Sequence, residues 1–428
     1  MSFFRDFNQF MMMGARAHAK WELEMSTNIL KSRNRKLTLC LLLLPIILGG
    51  IAIAGGDATS LPDVIGGTKA YTPAFYTPTV FIASTLVGLA AGLITGCIGA
   101  GGGFIIAPAL MSIGVKGILA VGTDLFHIFA KAIMGSVLHK KLGNISVPLA
   151  FTFLIGAIGG ATAGGLLNRY LYELNPVLSD AFITLVYVCM LGFLGFYALT
   201  DYFRSKKAMG SMETHEFSAT EEAIPSIGQK LQAINIPPMI SFDRGITPGG
   251  RKISWLFLVL SGALVGMAAG IMGVGGGFLT FPIFVYGLGV SSMTTVGTDI
   301  FQIIFTAGYA SLSQYAIYGF IFYTLAMGML IGSLFGIQVG SLVTQVVPGI
   351  TIRGFYAMSV LAGFINRVFA LPSKLRDMEL INWSRETTYI LDQIGIYGFF
   401  IVITIFCFWV FNTFFRNISV LKGEGLVL

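Results

Sequence analysis

Two stretches of the chain are written to one pattern: GLAAGLITGCIGAGGGFIIAP at residues 88–108 and GALVGMAAGIMGVGGGFLTFP at residues 262–282. At an offset of 174, Gly88, Gly92, Gly96, Gly99, Gly101, Gly102, Gly103, Phe104 and Pro108 match Gly262, Gly266, Gly270, Gly273, Gly275, Gly276, Gly277, Phe278 and Pro282. After one gained residue the agreement resumes, with Gly122-Thr123-Asp124 against Gly297-Thr298-Asp299 and Phe126 against Phe301. Further on, Gly156, Gly160 and Gly164 match Gly332, Gly336 and Gly340. Glycines four apart share one helix face and let two membrane helices pack backbone to backbone. Self-similarity over this length means two copies of one structural unit.

The unit belongs in a membrane. The chain has 428 residues, 55% of them hydrophobic and 11% charged, with a mean hydropathy of +0.80. A soluble domain carries about 25% charged residues. Apolar runs of about 20 residues, the length of a spanning helix, lie at 37–56, 79–96, 119–138, 147–167, 181–200, 253–272, 294–317, 320–342, 351–371 and 394–415. Two shorter pieces, 103–114 and 277–289, do not reach across upright. The expected fold is an all-α polytopic membrane protein made of two homologous repeats, with extra helices at both ends. The net charge of +7 does not point to nucleic acid, because the Lys and Arg residues flank the apolar runs as the positive-inside rule requires. Cys40, Cys97, Cys189 and Cys407 sit within apolar runs without a CxxC, which reads as buried small side chains rather than a metal or disulfide site.

Charge also orients the halves. The arm holds Arg5, Arg16, Lys20, Lys31, Arg33, Arg35 and Lys36, and the central segment has Arg204, Lys206 and Lys207 at one end and Arg244, Arg251 and Lys252 at the other. Both should be cytoplasmic, so an even number of crossings separates them. The first helix is one crossing, so the first repeat makes an odd number, and the second repeat is then inverted. His139-Lys140-Lys141 falls on the cytoplasmic side in this count. An odd number requires a hairpin at each glycine turn. The 103–114 piece reaches only about 18 Å, against a hydrocarbon core of roughly 30 Å, so it is a re-entrant hairpin or a helix that ends at depth. The expected layout is a cytoplasmic arm (1–36), an extra transmembrane helix and external loop (37–78), the first repeat (79–203), a solvated cytoplasmic linker (204–252), the second repeat (253–371), and a loop with a C-terminal transmembrane helix (372–428). Ala52-Ile53-Ala54 resembles a signal-peptidase site, but the segment before that helix is long, which favours a retained helix.

The glycine turns are neither a P-loop nor a dinucleotide motif. They place bare backbone at the start of a short helix, where N–H groups lack partners and the dipole is positive. Such an end takes an anion. The other reading is a tight turn where glycine permits close packing. The aspartates that follow cost about 2.5–3.5 kcal/mol each at mid-membrane. Asp124, His127 and Lys131 share one helix face, and Asp299, Gln302 and Thr306 take the matching places. Either the trio couples transport to a proton or cation beside the substrate, or each Asp caps its own helix. Candidate binding residues are Gly101, Gly102, Gly103, Phe104, Gly275, Gly276, Gly277, Phe278, Thr123, Thr298 and Lys131. Candidate coupling residues are Asp124, His127 and Asp299. Asn144, Ser311, Gln314, Asn366 and Arg367 are secondary; intramembrane hydroxyls usually bond their own backbone, and Arg367 near a helix end reads as snorkelling. No HExxH, GxSxG or His/Cys ligand spacing is present, so neither a hydrolase, a catalytic residue nor a metal or other cofactor is expected.

The doubled GxxxGxxGxGGGFxxxP followed by GTD resembles the sulfite exporter TauE/SafE family, also called the toluene sulfonate uptake permease family. The resemblance covers about residues 79–201 and 253–371. It implies a transporter of small sulfur-containing anions such as sulfite, sulfate or organosulfonates, mostly outward; the expected location is the bacterial inner membrane, with both termini cytoplasmic by the charge distribution. The partners then expected are the anion, a coupling proton or cation, the lipid bilayer and a second copy of the chain, with no nucleic acid. A passive anion channel and a non-transporting scaffold or sensor are the alternatives. The arm, the long linker and the final helix depart from the family's usual pattern of eight helices.

Overall fold

The computed structural model describes residues 66–69, 78–98, 102–141, 145–210, 226–243, 250–344, 346–347 and 349–417. The expected arm and first span, Gly99 to Gly101 and Asn144 lie outside the described residues. The first half comprises α1 (Pro78–Ile98), α2 (Gly103–Ser112), α3 (Gly117–Lys141), α4 (Val147–Leu174) and α5 (Pro176–Gly210). A short helix α6 (Ser226–Gln232) and an antiparallel pair, β1 (Met239–Phe242) and β2 (Arg251–Ser254), follow, with Met239 opposite Ser254 and Phe242 opposite Arg251. The second half is α7 (Trp255–Met272), α8 (Gly277–Pro282), α9 (Ser292–Tyr309), α10 (Tyr323–Val343) and α11 (Gly349–Asp377), and α12 (Arg385–Arg416) is the last described helix. α8 runs on as a π-helix over Ile283–Leu288, and α9 over Ala310–Tyr315.

Seven of these, α1, α4, α5, α7, α10, α11 and α12, are long and apolar enough to cross a membrane. The runs at 119–138 and 294–317 are helical too, as α3 and α9, but carry the polar residues of the repeat. The short pieces form α2 and α8, as their lengths require. Large apolar side chains such as Leu86, Ile155, Phe196, Phe335 and Phe408 point outward, the side that meets lipid.

The glycine rows pair the halves. α1 lies on α10, with Gly88 beside Met329, Gly92 beside Ser333 and Gly96 beside Ile337. α4 lies on α7, with Gly156 beside Val259, Gly160 beside Ala263 and Gly164 beside Met267. Positions rise together in both pairs, so each is parallel. A Cβ on Gly92 would come within 2.6 Å of the Ser333 Cα, so the backbones touch and only glycine fits. α5 and α11 run the opposite way to each other: Gly192 meets Phe364, Gly195 meets Leu361 and Gly354 meets Tyr202. Ion pairs close both ends of that antiparallel pair, Asp201 with Arg353 at 3.0 Å and Asp180 with Lys374 at 3.6 Å.

The two threonines of the GTD repeat join the halves again. Thr123 Oγ1 accepts from the N–H of Phe322, which precedes α10, at 2.9 Å. Thr298 Oγ1 accepts from the N–H of Ser146, which precedes α4, at 3.0 Å. Each buried hydroxyl thus satisfies a helix start in the other half. Thr298→Val should lower stability by about 1–3 kcal/mol, the cost of stranding a buried N–H, and Thr298→Ser should restore it. Thermal unfolding in detergent checks both.

A helix that ends inside a membrane needs its carbonyls satisfied by protein. At the end of α7, Asn168 Nδ2 donates to Gly270 O and Ile271 O, Tyr315 OH to Gly270 O, and Tyr187 OH to Met272 O. At the other end of α7, the described part of the linker is packed against the second half. Phe242 and Ile253 join Phe284, Leu288 and Val290 in one apolar cluster. Gln232 Nε2 and Arg251 Nη1 donate to Leu288 O and Gly289 O at 2.8 and 2.9 Å, and Asp243 accepts from the Ser291 N–H and hydroxyl at 3.0 and 2.7 Å.

Candidate functional site

The described parts of the two glycine turns meet, Gly103 of the first lying against Val274 of the second. Gly102 and Gly276, at matching places before α2 and α8, have φ of 61° and 86°, a left-handed conformation that glycine adopts without strain. Ile128 of α3 packs against Gly103 of one turn and Gly275 of the other, and a Cβ on Gly103 would lie 3.3 Å from the Val274 Cα. Phe104 and Phe278, the next residues, are buried. As first-turn residues of short helices, Gly103, Phe104, Gly277 and Phe278 have N–H groups with no acceptor inside the helix.

Asp124 and His127 lie beside this junction and are both 0% exposed. Asp124 Oδ1 is 3.6 Å from His127 Nδ1. Neither Asp124 oxygen has a hydrogen-bond partner, nor does His127 Nδ1. His127 Nε2 lies 2.9 Å from Ser333 Oγ of α10. The Ser333 hydroxyl donates to Met329 O at 2.7 Å, so Nε2 carries the hydrogen of the first contact. That assignment follows from the network. It leaves Nδ1 as a bare acceptor facing Asp124. An ionised carboxylate buried without a partner is very costly; protonation of Asp124 removes that cost.

Lys131, the third member of the trio, reaches from α3 to α1. Its Nζ donates to Thr95 Oγ1 at 3.0 Å, and that hydroxyl sits against Gly102, 2.5 Å from where a Cβ would be. The ammonium therefore stands at the first glycine turn, and its field reaches Asp124 and His127. The second half differs. Gln302 Nε2 donates to Asp299 Oδ1 at 3.0 Å, and Thr306 Oγ1 donates to Gln302 Oε1 at 2.6 Å. Asp299 Oδ2 lies at the start of α8, 2.9 Å from where a Cβ on Gly277 would be. The second polar row is thus internally satisfied, and the first is not.

Thr123 and Thr298 are held in the cross-half contacts described above. Ser311 bonds its own helix at Gly308 O. Gln314 receives Arg169 Nη1 on its carbonyl and side-chain oxygens at 2.7 and 2.9 Å. Arg367 does not snorkel: it is 2% exposed inside the bundle. Sequence reasoning missed Ser333, Tyr187, Asn168 and Tyr315. Each makes its contact with a residue 45 or more positions away, and no local pattern marks such a partner.

The family model described as Sulfite exporter TauE/SafE matches residues 84–366, which span both glycine turns, both aspartates and the helices that hold them. The chain belongs to the sulfite exporter TauE/SafE family. It resembles the probable membrane transporter protein YjnA of Bacillus subtilis (strain 168), with 26% identity over 265 residues, 60% of this chain and 87% of that protein. It also resembles the probable membrane transporter protein YunE of the same organism, with 29% identity over 108 residues, 25% of this chain and 40% of that protein. No solved structure matches. This TauE/SafE chain is an integral membrane protein, and both relatives are named as transporters rather than enzymes. Its α12 lies beyond the residues that the family model covers.

Proposed function

We infer that the chain is a secondary transporter that exports small sulfur-containing anions of the sulfite, sulfate or organosulfonate type across the bacterial plasma membrane, down the anion's own gradient and together with a proton. The observation that carries this reading is the meeting of the two glycine turns beside one unsatisfied, buried acid–base pair, Asp124 and His127. The anion lies between the turns, facing N–H groups of Gly102 to Phe104 and Gly275 to Phe278, with Lys131 supplying positive charge. An ionised Asp124 would repel that anion. The anion therefore occupies the site while Asp124 and His127 hold a proton, and the two move in a linked cycle. Asp299, already satisfied by Gln302, stabilises the start of α8.

The halves are proposed to be inverted repeats, with the linker and both termini cytoplasmic. Matching helices α5 and α11 run antiparallel, which supports inversion. The parallel pairs α1–α10 and α4–α7 have the directions that this layout requires. Two satisfied contacts that cross between halves, at Thr123 and Thr298, sit next to the binding region, where a change of access has to be transmitted.

The test is uptake of radiolabelled sulfite, sulfate and a small sulfonate into proteoliposomes, with and without a pH gradient. Saturable uptake of one anion that the gradient drives is expected. Linear, non-saturating flux indifferent to the gradient identifies a channel, and no flux of any anion from folded protein leaves a scaffold.

A further inference from the structure

Away from the Asp124 site, α11 carries two adjacent buried polar residues, Asn366 at 0% and Arg367 at 2% exposure. Arg367 donates from Nε to Asn366 Oδ1 at 2.7 Å and from Nη2 to Ser112 Oγ at 2.8 Å, at the end of α2. Ser112 Oγ also lies 3.2 Å from Asn366 Oδ1. These contacts fix the amide with its oxygen towards the guanidinium. The surplus group is then a donor, Asn366 Nδ2, which is buried and has no partner.

Among the described residues no carboxylate pairs with Arg367. Asp180 is engaged by the Gly117 N–H at 2.8 Å and by Lys374 at 3.6 Å, and Asp392 reaches Arg367 only through its field. A cation is favourable at a helix C-terminus. That explains a positive charge at the end of α2, but not a buried amide donor with nothing to bind beside it. Gly395 of α12 packs on this point, since a Cβ there would lie 3.3 Å from the Asn366 Cα, so α12 shields the cluster from lipid. On the inner side stands Tyr187, which feels both Arg367 and Asp124 and whose hydroxyl binds Met272 O at the second glycine turn. The pairing of Asp180 with Lys374 puts the cluster towards the end of the bundle opposite the α6–β hairpin.

We propose that Asn366 and Arg367, with Ser112 orienting the guanidinium, form a second subsite for a sulfur oxyanion, on the route between the outer surface and the glycine turns. The proposal rests on the anion-transporter reading. A buried donor without an acceptor, beside a guanidinium that no carboxylate pairs among the described residues, suits a tetrahedral or pyramidal oxyanion, which has oxygen acceptors on every side.

The test is the concentration dependence of radiolabelled sulfite uptake into proteoliposomes. Asn366→Leu removes the donor, and Asn366→Asp replaces it with a charge that repels the anion. Both should raise the apparent KM for sulfite at least about tenfold, the size expected for one charge-assisted contact, with the maximal rate within about threefold. Arg367→Lys keeps the charge without the planar fork and should fall between. If both Asn366 variants elute as monodisperse protein and keep the wild-type KM within twofold, the subsite is wrong while the transporter reading stands. If the wild type moves none of the three anions, both fall. Should the Asn366 variants not fold, Ser112→Ala carries the test with the same two outcomes.

Discussion

Asp124→Asn is expected to take up sulfite into proteoliposomes with no response to a pH gradient. Wild-type protein that couples one proton to one anion gains up to about tenfold in accumulation for each pH unit, which is worth about 1.4 kcal/mol. The variant loses that factor entirely. The reason is chemical. Asp124 is fully buried and neither of its oxygens has a hydrogen-bond partner, so a full negative charge there is tolerated only in passing. An amide has the same shape but no proton to release, which locks the site in one state. The amide can donate to His127 Nδ1, the acceptor left by the bond from Nε2 to Ser333. The melting temperature should therefore be unchanged or higher, which separates lost coupling from lost folding. Asp299→Asn should keep its gradient response, because Asp299 is already bonded to Gln302. Undiminished gradient-driven uptake by Asp124→Asn would remove Asp124 from the mechanism.

Gly160→Leu should yield no monodisperse protein, while Gly159→Leu, one position earlier, should be purified and melt like wild type. A Cβ on Gly160 would stand 2.7 Å from the Met267 nitrogen and 2.8 Å from the Ala263 carbonyl carbon, both backbone atoms of α7. Overpacking against side chains costs about 1–3 kcal/mol. Backbone cannot turn aside, so α4 and α7 must separate, and the cost exceeds that range. Gly159 faces open space, where a Cβ would have nothing within 4 Å. Size-exclusion profiles and thermal melts of the two variants decide it. Equal behaviour would mean that the glycine row does not set the contact between the halves.

Hydropathy and repeated glycines carried much of the architecture. The lengths of the apolar runs marked the spanning helices, and the brevity of 103–114 and 277–289 marked α2 and α8. Both are local properties of composition. The row at Gly156, Gly160 and Gly164 announced close packing but not its partner, because any helix with small residues would serve. Arg367 read as a snorkelling side chain from its place near a helix end; the antiparallel contact of α11 with α5, and the cover of α12, enclose it instead. The linker read as solvated from its charges and prolines, yet Phe242, an apolar residue with no periodic pattern around it, docks part of it, with Ile253 at the start of the second repeat, against the π-helix that follows α8.

By itself the sequence determined that this is a membrane protein of two related halves, with broken helices at the glycine turns and an aspartate after each. Those facts follow from residue type and spacing along one strand of chain. Tertiary structure alone decided that α1 packs on α10 and α4 on α7, that Thr123 and Thr298 cap each other's half, and that Asp124 is left unsatisfied while Asp299 is not. The sequence wrote the two aspartates alike. Their difference arises because Gln302 lies within reach of one, whereas His127 turns its hydrogen towards Ser333, 206 residues away, and burial then leaves Asp124 without any donor.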